Sequence, residues 1–147
     1  MAEIPEKLEQ TLDALSMVPD RSERIQLLID IAGKFKEVPP QVATRPFPEE
    51  NRVPACESEA FVWAERRQDG NLDFHFAVEN PQGISAKAMA VILKDSLSGQ
   101  PLDQVAAVNQ DIVYKVFGNE LSMGKSMGLM GMVGMISTLA KRAQGAG

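Results

Sequence analysis

A chain of 147 residues that is 44% apolar and 24% charged is of a size and composition to bury a core as one domain, expected over residues 1–147. The net charge of −5, with Lys and Arg scattered, provides no basic track for a phosphate backbone, so nucleic acid is not an expected partner. One cysteine rules out an internal disulfide, and the start Met-Ala-Glu-Ile-Pro-Glu lacks the basic and apolar regions of a signal peptide, which fits a reducing cytoplasm.

Leu8, Leu12 and Leu15 recur at helical spacing among charged residues and predict an amphipathic helix that Pro19 ends. Asp20 or Ser22 then caps a second helix, with Ile25, Leu28, Ile29, Ala32 and Phe35 expected on one inward stripe. From Glu37 to Pro54 five prolines remove backbone donors and disfavour helix before each of them, so this stretch is expected to be a long loop. Loops of that length inside a domain tend to be functional, and this one leads to Cys56.

Glu59–Glu65 and Leu72–Val78 predict two strands joined through the turn Gln68-Asp69-Gly70-Asn71. Alternation puts Leu72, Phe74, Phe76 and Val78 on a buried face and Asp73, His75 and Glu79 on a wetter one. Helices are expected over Ser85–Leu97, from Pro101 to Val108, over Asp111–Phe117 with Gly118-Asn119 closing it, and from about Lys125 to Arg142. The last carries Leu129, Met132, Val133, Ile136 and Leu139 on one stripe, and its weakly charged run is well short of the roughly 20 residues that span a bilayer, so no membrane is expected as a partner. Helices, a hairpin and then more helices is the order of an α+β domain.

A lone cysteine is often a buried small hydrophobe. Cys56, however, follows Pro54-Ala55 and precedes Glu57-Ser58 at a loop-to-strand junction, where a thiol can be exposed or swung. His75 is the only histidine, so a Cys-His nucleophilic pair has one composition; its parity with Asp73 and Glu79 argues for a solvated surface histidine instead. Those two residues are too few for a zinc site or an iron-sulfur scaffold, and no Walker, dinucleotide or nucleophile-elbow motif occurs. Methionines 123, 127, 130, 132 and 135, interleaved with glycines 124, 128, 131 and 134, suit core packing with close approach; five methionines cannot share one inward stripe, so some belong to a contact surface.

The segment from Pro54 to Phe61, the stretch from Asn80 to Met89 and Leu121-Ser122-Met123-Gly124-Lys125-Ser126-Met127-Gly128-Leu129 together resemble the SufE family of sulfur-acceptor proteins. The family hallmarks are Gly-Cys-x-Ser before a strand, an acidic-serine segment leading into a Lys-Gly helix, and Ser-Arg-x-x-Gly-Leu before the last helix. Here Ala55 replaces the first glycine, Ala88 follows Lys87 where glycine is common, and Lys125 stands for the arginine, keeping its charge but not its planar fork.

The resemblance implies an α+β fold, an antiparallel β-sheet with helices packed on one side as in the scaffold protein IscU, and a further strand from the proline-rich segment near Asn51 to Pro54. It implies that Cys56 accepts persulfide sulfur from a SufS-type cysteine desulfurase, stimulates it and delivers the sulfur to the SufBCD scaffold. It implies no cofactor and no metal, an accessory rather than an enzymatic role, and Lys125, Ser58 and Glu57 as partner-binding residues. Homodimer formation is left open. Two other classes stand beside it: a partner-binding module with an incidental cysteine, and a cysteine hydrolase using His75.

Overall fold

The computed structural model describes residues 3–118 and 121–146. Its elements are α1 (Glu6–Ser16), α2 (Arg21–Ala32), a 3-10 turn (Glu49–Asn51), β1 (Ala60–Arg66), β2 (Leu72–Val78), α3 (Ile84–Leu97), α4 (Leu102–Ala106), α5 (Ile112–Phe117) and α6 (Met123–Ala146). This is the expected α+β order. Of the pair expected to stop α5, Gly118 does so at a positive φ, and Asn119 lies outside the described residues.

α1 buries Leu8, Leu12 and Leu15 as its spacing predicts. α2 starts at Asp20, whose carboxylate accepts from the Ser22 amide at 2.8 Å, a cap worth about 1 kcal/mol. Its expected stripe splits: Leu28 and Ala32 are buried, whereas Ile25 and Ile29 face outward. The helix ends before Phe35, which is only half-buried. The apolar residues of α2 span more of its circumference than the core can cover.

β1 and β2 pair antiparallel in the register Ala60↔Val78 to Arg66↔Leu72. Ala60, Val62 and, at the margin, Ala64 of β1 enter the main core with Leu72, Phe74, Phe76 and Val78 of β2, with α3 packed on β2 and α6 on β1. α6 contributes Leu129, Met132, Val133 and Ile136 to the same core, with Leu139 at its margin.

The opposite face is not open to water as alternation alone suggests. Val38, Phe61, Trp63 and Ala77 form a second apolar cluster, roofed by Val42, Ala43 and Phe47 of the proline-rich segment. Phe47 packs 4.9 Å from the Trp63 ring and 5.3 Å from that of Phe61. Arg45 lies over Phe47 and bridges Glu37 and Glu79, so the segment is tied to the end of β2. It is an ordered cover.

His75 is also not a solvated histidine; its side chain is 12% exposed. Lys94 Nζ lies 3.3 Å from its Nδ1, and an ammonium can only donate, so Nε2 carries the proton given to Glu65 Oε1 at 3.2 Å.

The further strand expected near Asn51 to Pro54 is reduced to one bridge, Arg52↔Phe61, and among the described residues the sheet has two strands. Val53 N–H still donates to Ala60 O at 2.8 Å and Asn51 Nδ2 to Val62 O at 2.9 Å. Pro54 has no amide hydrogen and Ala55 turns into left-handed backbone, so pairing stops there. The outer edge of β2 is covered too, by Val38 N–H on Phe76 O, Lys94 on Phe74 O and Ser98 Oγ accepting from the Phe74 amide.

Candidate functional site: a cysteine loop seated on glycines

The loop from Val53 to Glu59 leaves the sheet edge, exposes part of Cys56 and returns as β1. Two non-glycine residues within it have left-handed backbone, Ala55 at φ 57° and Glu59 at φ 52°. Such a conformation costs an L-residue about 1–2 kcal/mol, so the loop is held by its surroundings. Glu59 N–H donates to Cys56 O at 3.1 Å and Asn80 N–H to Ser58 O at 3.1 Å, which close the turn on its β1 side.

The surroundings that hold it are glycines. A β-carbon on Gly128 would lie 3.0 Å from Cys56 Cα and 3.3 Å from its Cβ, and one on Gly131 would lie 3.1 Å from Pro54 O. On Gly124 it would meet Glu57 Oε1 at 2.8 Å, and on Gly83, which precedes α3, Ser58 Oγ at 3.0 Å. Residues 124, 128 and 131 are four and three apart and share one face of α6. The interleaved glycines therefore provide a flat bed for a loop, where sequence suggested close packing of helices.

Cys56 is half-buried and packs at the margin of the main core. Beside it lies a pocket of about 170 Å³ lined by Glu57, Ser58, Asn80, Ser85, Lys125 and Leu129 among others. The four residues singled out from sequence, Cys56, Glu57, Ser58 and Lys125, all line this one pocket. Lys125 sits in the first turn of α6, where its amide is 3.3 Å from Ser122 Oγ, the helix cap. The pocket thus carries one ammonium, Lys125, and one carboxylate, Glu57, beside the thiol.

His75 is not part of the site. It belongs to the sheet face opposite the one that carries α3 and α6, and it does not line the Cys56 pocket. Asn80, Gly83 and Ser85 are site residues that sequence did not single out; the stretch Asn80 to Met89 pointed to them, but only the return of β2 beside Ser58 brings them to the thiol. Among the described residues no group of three or more His, Cys, Asp or Glu could hold a metal, and no helix is long and apolar enough to cross a membrane.

A two-stranded α+β fold with a lone thiol on a strained loop defines a protein whose candidate chemistry centres on one cysteine. The family model described as SufE, Fe-S metabolism associated domain, matches residues 9–140, and the chain belongs to the SufE family. It is associated through that domain with iron-sulfur metabolism. The solution structure of a hypothetical protein from Thermus thermophilus has a similar fold, with a TM-score of 0.74 and 25% identity over 96% of this chain and 98% of that one. No curated protein matches the chain.

Proposed function

We propose that the chain, acting as one SufE-like domain over residues 1–147, is a cytoplasmic sulfur acceptor and carrier for iron-sulfur cluster assembly. Cys56 takes sulfur from the persulfide of a SufS-type cysteine desulfurase, stimulates that enzyme by clearing its persulfide, and delivers the sulfur to a SufBCD scaffold. The observation that carries this is a single half-buried thiol at the tip of a strained loop, beside a small pocket with one lysine, in a SufE-family chain.

The Cys56 thiolate attacks the terminal sulfur of the donor persulfide. A new S–S bond forms on Cys56, the donor's S–S bond breaks, and the donor cysteine leaves as a thiolate that takes up the proton. No net oxidation occurs, and the step needs no cofactor from this chain. With no second cysteine in the sequence, the bound persulfide cannot collapse into an internal disulfide, so its sulfur awaits an external thiolate. Lys125, Glu57 and Ser58, which line the pocket beside the thiol, meet the partner proteins there.

Incubating the protein with a SufS-type desulfurase and cysteine, then recording intact mass, tests this. The expected result is a gain of one sulfur atom that dithiothreitol removes and that Cys56→Ser abolishes. An unmodified mass, or equal sulfur uptake by Cys56→Ser, would overturn it.

A partner-binding module with an incidental cysteine draws support from one observation: Met123 and Met127 are exposed at the start of α6 while Met132 is buried. On that reading, Cys56→Ser retains the partner function and Met127→Lys loses it.

A further inference from the structure

Seven large apolar side chains are exposed among the described residues: Met17, Ile25, Ile29, Ile84, Tyr114, Met123 and Met127. Single exposed apolar residues need no explanation, but these are not scattered. Ile25, Ile29 and Ile84, between 42% and 46% exposed, line one apolar groove of about 330 Å³ together with Val18, Phe117 and Leu121. Met17 precedes Val18 in the chain, and Met123 follows Leu121 by two residues.

Its walls are the outer face of α2, the start of α3, Phe117 at the end of α5 and Leu121. Ile25 and Ile29 are one helical turn apart and form a ridge along α2 that the fold itself leaves uncovered. The groove runs into the cysteine site, because Ile84 and Ser85 line both it and the Cys56 pocket. Its charged lining residues among the described ones are Arg24 and Arg21, the latter already engaged in an interaction of its own. Arg24 is fixed by donating to the carbonyls of Lys115 and Val116, so its positive charge stays at the rim. Apart from the two arginines, Ser85 is the one polar residue of this lining among the described residues, which leaves little to orient a small ligand.

We propose that this groove is the ledge on which the sulfur donor docks, and that it takes an apolar surface segment of the donor protein flanked by a carboxylate. The apolar side chains cover Ile25, Ile29 and Ile84, a carboxylate meets the positive charge of Arg24, and the adjoining Cys56 faces the donor's reactive sulfur. The inference rests on the sulfur-acceptor reading above and adds the surface and the chemistry of the partner.

The test compares wild type with Ile25→Glu/Ile29→Glu, two exposed positions where the change leaves the core intact. Sulfur loading of Cys56 is titrated against a SufS-type desulfurase with cysteine, and separately against glutathione persulfide, a donor too small to need the ledge. The expected result is at least a tenfold rise in the protein concentration for half-maximal loading by the desulfurase, with loading by glutathione persulfide unchanged.

An unchanged desulfurase titration overturns the proposal and leaves the carrier reading standing. So does equal impairment with both donors, which means that the Cys56 site itself was damaged. Sedimentation that finds a wild-type dimer broken by the double substitution overturns it in favour of a second copy of this chain on the ledge. If wild-type Cys56 takes sulfur from neither donor, the carrier reading fails. Calorimetric binding of the desulfurase then decides the docking surface, with equal affinity for wild type and variant overturning it and a tenfold loss upholding it.

Discussion

Gly128→Ala sets two effects of one methyl group against each other. Within a helix, alanine is favoured over glycine by about 0.8–1.0 kcal/mol, so α6 gains stability. The same methyl would stand 3.0 Å from Cys56 Cα, 3.3 Å from its Cβ and 3.4 Å from Ala55 O. Ordinary contact requires the loop to withdraw by a few tenths of an ångström, and overpacking of this kind costs about 1–3 kcal/mol. That strain falls on a loop already carrying two left-handed residues, so it is relieved most easily by lifting the loop from α6.

A loss of about 1.4 kcal/mol by the seated loop raises the lifted population about tenfold. Alkylation of Cys56 by iodoacetamide at fixed pH, followed by intact mass, should therefore quicken about tenfold, while the unfolding free energy from urea titration stays within about 1 kcal/mol of wild type. Gly145→Ala on the same helix is the control, because a β-carbon there meets nothing within 4 Å, and its alkylation rate should not change. A Gly128→Ala protein that is more stable yet alkylated at the wild-type rate would refute the glycine bed.

Ala55→Gly relieves the left-handed backbone at φ 57°, and after the greater unfolded-state entropy of glycine about 0.5–1 kcal/mol should remain; urea unfolding and slower alkylation of Cys56 would register it. Arg45→Gln removes the cation that holds the Glu37 carboxyl below its usual range through a hydrogen bond. A carboxylate with a lowered folded-state pKa stabilises above its unfolded value, and that contribution is lost as pH falls through the folded one. Wild type should thus lose thermal stability more steeply than Arg45→Gln between about pH 5 and pH 3; parallel curves would count against the latch.

Much of this was legible in the chain because it depends on short-range pattern. Leu8, Leu12 and Leu15, the alternation in β2, and the α6 stripe from Leu129 to Ile136 all face the core as their spacing predicts. Cys56, Glu57, Ser58 and Lys125 were named from sequence and line one pocket. Ala55 in left-handed backbone accounts for the glycine usual at that position in the family, since glycine adopts the conformation without strain.

The remainder depended on partners far away in the chain. Periodicity put Ile25 and Ile29 inside because it records which residues are apolar, not how much of a helix its neighbours can cover. Alternation made the second face of the sheet wet because it cannot register that Phe47, sixteen residues before Trp63, folds back over it. Glycine spacing on α6 indicated that something approaches closely. That it is the backbone of the cysteine loop, some seventy residues earlier in the chain, was decided only when tertiary folding laid Pro54 to Glu57 across that face.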